Sequence, residues 1–268
     1  MEDIMKKIIY MAMLLAVFTH ISANTDQLKK SYPKAITFIQ EELQKSGLNP
    51  EQVFIASSKQ GWAMGAKVTH NGIRDVVHTY EHCLFVPETG LYSLKDLEST
   101  LEKENSERTA SYQFIINHEA NHAVYKHSLK RAFAELADCG INIVTAGIIH
   151  TGIHTATTHL STFSRTTLHL AALILECIAL RTTYYMQNGG LLTKIYSRML
   201  EQEADDKVRN NDTILKGGIT YFKQYKNSNT HTTVSMQIKQ FIQDIYETHP
   251  TFESRIAALE KRIATLKA

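Results

Sequence analysis

The chain has 268 residues, of which 43% are hydrophobic and 21% charged, and its formal net charge is +2. That is enough chain for a sizeable core and a composition typical of globular proteins. Lys and Arg are interspersed with Asp and Glu and no long basic block occurs, which excludes an electrostatic footprint for nucleic acid. Cys83, Cys139 and Cys177 are too widely spaced for a zinc knuckle or a disulfide framework and are expected to be small buried thiols.

The chain opens with Lys6 and Lys7, the apolar run IIYMAMLLAVF, and then Ser22 and Ala23 before a polar stretch. This order predicts a secretory signal peptide over 1–23, or an uncleaved anchor if Thr19 to Ala23 extend the run, and puts the remainder outside the cytoplasm, periplasmic or secreted. KAITFIQEELQKSG has helical spacing and stops at Gly47, and Asn49-Pro50 marks a turn. VFIASS, WAMGAKV and VVHTYEHCLFV are β-branched and aromatic runs that predict a small antiparallel sheet.

From Ser93 onward the pattern is helical. LKDLESTLEKEN follows a Ser93 N-cap, and SYQFIINHEANHAVYKHSLKRAFAELA reads as one further helix. The glycine pairs 189–190 and 217–218 are expected to divide later helices, and Pro250 to interrupt the last pair. The stretch 141–186 is apolar enough to suggest a membrane span but carries His150, His154, His159, Glu176 and Arg181, each unfavourable in hydrocarbon. It is read as a helical hairpin, inserted at about 141–188 of a single domain over 24–268. The hairpin either packs on that domain or dips into a membrane surface, and full spanning is the alternative.

HEANH carries the chemistry. On a helix, histidines four apart project from one face, so His118 and His122 can meet one zinc ion, while Glu119 is offset enough to reach a water on the metal and take its proton. Zinc lowers the pKa of such a water towards about 7. A third protein ligand is needed. A histidine six residues beyond His122 would supply it, but that position is Ser128, and His127 is one place out and reads as structural. LEQEADDKV offers a carboxylate instead: Glu201 and Asp205 share a helical face, so Glu201 can bind zinc while Asp205 accepts a hydrogen bond from the far nitrogen of a zinc histidine. His150 and His154 are also four apart, but no glutamate follows the first, and they read as structural or surface residues rather than a second metal site.

With these elements in order, the sequence resembles the HtpX and CAAX prenyl endopeptidase family of gluzincins, peptidase family M48. HEANHAVYKHSLKR looks like the family's active-site helix, EQEAD like its third-ligand helix and THPTFESRIAAL like its C-terminal segment, together spanning roughly Ala110 to Leu259. The resemblance implies a mainly helical α+β zincin-like metallopeptidase with a small antiparallel sheet before the active-site helix. It also implies one Zn2+ per chain, with Glu201 as ligand and Glu203 as the alternative if the helix is rotated. His249 would lie near the metal, stabilising the oxyanion or capping the zinc at rest, and Arg255 would organise the site through a buried ion pair. Ala120-Asn121 replaces the family's common Leu-Gly, with side chains expected to face away from the metal. The usual Asn-Ala-Phe stretch is not evident, leaving WAMGAKV and HCLFV as candidates to pair with an extended peptide.

The expected activity is zinc-dependent endopeptidase cleavage of extended or unfolded polypeptides in extracytoplasmic quality control, with a membrane surface as a further partner. The alternatives are a membrane-embedded HtpX-like protease and a non-catalytic zinc-binding chaperone or scaffold.

Overall fold

The computed structural model describes residues 25–58, 61–65, 68–71, 77–158, 161–185, 191–228 and 249–268. The expected leader over 1–23 and the glycine pair 189–190 lie outside the described residues. The chain divides into two compact units, one containing residues 25–126, 204–228 and 255–268, the other 127–203 and 249–254.

The first unit begins with α1 (Thr25–Ser31) and α2 (Pro33–Lys45), which ends as expected at Gly47, held at φ +88°. A turn capped by the Asn49 side chain leads into β1 (Val53–Ser58). After β2 (Ala63–Gly65), β3 (Val68–Asn71) and β4 (Val77–Tyr80) form an antiparallel pair, and β5 (His82–Pro87) completes a separate three-stranded sheet in the order β1-β5-β2. That sheet is mixed: β2 runs antiparallel to β5, but β1 runs parallel to it, with Val53 opposite His82. Alternation reports which residues share a face and not which strands are neighbours or in which direction they run, so the expected antiparallel sheet is corrected at β1. HCLFV is consequently the middle strand, closed to further pairing, and β2 of the WAMGAKV run is paired on one side only among the described residues.

Helix α3 (Leu94–Glu102) starts at the predicted cap, where Ser93 Oγ accepts from the Asp96 amide at 3.2 Å. Helix α4 (Ser106–Val124) carries HEANH and is capped by Asn105. Ile36, Ile39 and Leu43 of α2, Ile55 of β1, Leu84 of β5 and Tyr112, Ile115, Ile116 and Ala120 of α4 form the core. Because α4 is covered on several sides, its polar residues Ser111, Asn117, His118, Glu119 and Asn121 are buried as well. A helix buried all round requires each polar group to find a partner.

The run expected as one helix is two. α4 stops at Val124, Lys126 takes φ +55°, and α5 (His127–Ala156) begins afresh. The amides of Tyr125 and Lys126 bond back to Asn121 and Ala123, ending the helix with a left-handed residue that is not glycine and therefore left no mark in the sequence. Helices α5 and α6 (Thr162–Tyr185) pack together in the second unit. Asp138 of α5 caps the start of α7 (Leu191–Asp206), its carboxylate accepting from the amides of Leu192 at 3.1 Å and Thr193 at 2.8 Å. Cys83 is buried as expected, whereas Cys139 is exposed because it stands on an outward face of α5.

Gly217 and Gly218 do not divide helices; they lie inside α8 (Asp212–Ser228). A Cβ on Gly217 would stand 2.3 Å from the carbonyl carbon of Ala110, and one on Gly218 would stand 2.5 Å from the Phe114 ring. The pair is the notch through which α8 approaches the backbone of α4, a use of glycine that outweighs its cost of about 1 kcal/mol in a helix interior. The chain ends with α9 (Phe252–Lys267). We predict that Gly217→Ala forces the two backbones apart and destabilises the protein by about 3 kcal/mol. Urea unfolding measures this, and an unchanged midpoint would show that the close approach carries no energetic weight.

Candidate metal centre

Since α4 is helical through HEANH, His118 and His122 project from one face a turn apart. Their Nε2 atoms are 3.1 Å apart, and the rings stand nearly perpendicular at 82° with centres 4.8 Å apart. Two nitrogens bound at about 2.0–2.1 Å to one tetrahedral zinc are separated by roughly 3.3 Å, so the pair is set close to zinc geometry.

The orientation of His118 is fixed from behind. Its Nδ1 lies 2.8 Å from Asp205 Oδ1, which keeps the proton on Nδ1 and makes Nε2 the unprotonated nitrogen, the form a metal requires. Asp205 is in turn gripped by Arg255 of α9, whose Nε and terminal nitrogen donate to its two oxygens at 2.6 and 2.7 Å. The Arg255 guanidinium also lies over the Phe222 ring at 4.3 Å. All three charged or polar partners are buried. Burial acts to raise the Asp205 carboxyl, but the bonds from His118 and Arg255 outweigh it and hold the group below the usual carboxylate range.

Further bonds set the end of α7. Asn121 Nδ2 donates to the Ala204 carbonyl at 3.0 Å, so this replacement of the expected glycine is a tie between α4 and α7 rather than an idle side chain. Arg262 caps the same helix end, donating to the carbonyls of Asp205 at 2.6 Å and Val208 at 2.7 Å. On the far side of α4, Asn117 bonds to Arg209 at 2.8 Å and to the fully buried Glu42 at 3.3 Å, and Arg209 also pairs with Glu42. Neither Asn121 nor Glu42 was marked by the sequence, because a buried polar tie resembles any other polar residue until its neighbours are known.

Glu201 stands one turn before Asp205 on the unbroken α7. One ligand atom each from His118, His122 and Glu201 lie within 4.8 Å of one another, a donor set of two imidazoles and a carboxylate suited to a catalytic zinc with an open position. Glu203, the alternative, is engaged elsewhere: Lys130 donates to it at 2.9 Å and His127 Nε2 approaches it to 3.3 Å. The Lys130 bond is the main reason that the Glu203 carboxyl is held down, while burial holds His127 below the ordinary histidine range and favours its neutral form. His249 is exposed, and its Nδ1 lies 3.1 Å from Glu201 Oε2. Glu119 is buried beside His118, and its charge helps to push the Tyr221 hydroxyl upward, after burial and Tyr225.

A family model described as Peptidase family M48 matches residues 96–263, and the chain therefore belongs to that family of zinc metallopeptidases. Searches of curated proteins and of solved structures returned no match.

The depressed Asp205 carboxyl has a definite pH signature. A folded-state pKa below the unfolded value of about 3.9 stabilises the protein above that value, and the contribution is lost as pH falls through the folded value. Asp205→Asn should therefore destabilise by about 3–5 kcal/mol at pH 7, where it strands the Arg255 charge, with a difference that shrinks below pH 4. Paired denaturant titrations at several pH values check this, and a pH-independent difference would contradict it.

Proposed function

We propose that this member of peptidase family M48 is a zinc-dependent endopeptidase that cleaves extended or unfolded polypeptides. The single observation that carries the reading is the convergence of His118, His122 and Glu201 ligand atoms behind which Asp205 holds His118. Zinc bound there would supply Lewis acidity, making a water nucleophilic near neutral pH and polarising the scissile carbonyl. Glu119, next to the first ligand, takes the proton of the attacking water, becomes neutral, and passes that proton to the amine nitrogen as the carbon–nitrogen bond breaks. His249, in contact with Glu201, fits the role of capping the ligand set at rest. Strand β2, packed beside α4 and paired on one side only among the described residues, is the edge on which an extended peptide would add a strand.

Quality control outside the cytoplasm is the task proposed for it. One observation favours a membrane-embedded variant of this reading. Helix α5 is 30 residues long, the most apolar 18-residue stretch within it has a mean hydropathy of 1.5, and it exposes Phe133, Leu136, Ile143, Val144 and Ile148, each by more than 60%. Its length of about 45 Å exceeds the roughly 30 Å of bilayer hydrocarbon. The membrane reading predicts that full-length protein stays in the pellet after an alkaline carbonate wash of membranes; release into the supernatant would leave the exported, surface-associated form.

The catalytic reading predicts that Glu119→Gln keeps its zinc and loses casein cleavage by about 10²–10⁴-fold. Metal content by mass spectrometry alongside a casein assay measures both. A native protein that takes up no zinc on refolding with the metal would overturn the proposal.

A further inference from the structure

Away from the metal centre, a second cluster of histidines lies in the seam of the α5–α6 hairpin. His150 Nδ1 of α5 and His169 Nδ1 of α6 face each other at 2.9 Å, with the rings nearly parallel at 17° and their centres 5.2 Å apart. His154 stands one turn beyond His150 on α5, and its ring centre is 6.3 Å from that of His169. His150 and His169 are half-buried and His154 is exposed.

Two imidazole nitrogens facing each other at this distance can share one proton, one donating and the other accepting. A divalent cation that replaced that proton would need the nitrogens to move apart by only a few tenths of an ångström to reach the roughly 3.3 Å of tetrahedral geometry. His154, exposed and with its ring centre 6.3 Å from that of His169, would add a third nitrogen by turning toward the pair, and solvent would complete the set. The arrangement follows the plan of the first centre, with two ligands a turn apart on one helix and a third from another helix.

We propose that His150, His154 and His169 form a second metal site, selective for borderline ions of the zinc and copper class. Imidazole ligands with no thiolate or carboxylate favour such ions over magnesium or calcium. The residue after His150 is Thr151, so no general base accompanies the ligands, and the site binds without hydrolysing. The ion joins α5 to α6 and thereby fixes the hairpin. His169 was the residue missing from the sequence reading, because a ligand on the opposing helix leaves no short-range spacing to detect.

The test uses the full chain and zinc alone. After stripping with a chelator, reloading and desalting, the native protein should retain two ions per chain and the His118→Ala/His122→Ala variant one. Adding His169→Gln to that variant should remove the remaining ion. A His118→Ala/His122→Ala variant that retains no ion, or a remaining ion indifferent to His169→Gln, would overturn the proposal, whereas a native chain whose single ion is lost with His169→Gln would overturn the first centre instead. As a check that requires no variant, diethyl pyrocarbonate modification of the native protein is mapped by peptide mass spectrometry. Zinc should protect His150 and His169, and equal modification with and without the metal would contradict the site.

Discussion

The carboxylate of Asp205 joins three helices, and the geometry around the metal centre depends on that junction. Asp205 belongs to α7, accepts from His118 of α4 and is gripped by two nitrogens of Arg255 from α9. A buried carboxylate without such partners would be neutralised or would disrupt the fold. With them it becomes a rigid acceptor whose position fixes the tautomer and ring orientation of His118. Because α7 is unbroken, the same anchor determines which face Glu201 presents one turn earlier.

That junction is supported by close packing as well as by charge. The Gly217-Gly218 notch brings α8 against the backbone of α4, and Phe222 on the same helix lies under the Arg255 guanidinium. Asn121 and Arg262 secure the carbonyls at the end of α7, and Glu42 with Arg209 secures Asn117 on the opposite face of α4. Almost every buried polar residue of α4 is thus committed to a neighbouring element, which limits how far His118 and His122 can move from the positions a metal needs. Preorganised ligands of this kind reduce the ordering cost of binding.

The parts of this arrangement that were legible in the sequence are those governed by helical period. HEANH and the pair Glu201 and Asp205 needed only the rule that residues four apart share a face, and the Ser93 cap needed only local chemistry. What was not legible depends on contacts between distant segments. That Lys130 and His127 engage Glu203, while Glu201 is the carboxylate beside His118 and His122, could not be read from spacing. The role of Gly217 turns on Ala110, more than a hundred residues away. The parallel pairing of β1 with β5 and the left-handed Lys126 between α4 and α5 likewise have no short-range signature.

The claim on which the account rests is that His118, His122 and Glu201 together bind one zinc ion. A crystal grown with zinc, with anomalous data collected on either side of the zinc absorption edge, tests it most directly. The account predicts an anomalous peak about 2.0–2.2 Å from His118 Nε2, His122 Nε2 and a Glu201 carboxylate oxygen. Absence of density between those atoms, or a metal held by Glu203 in place of Glu201, would contradict it.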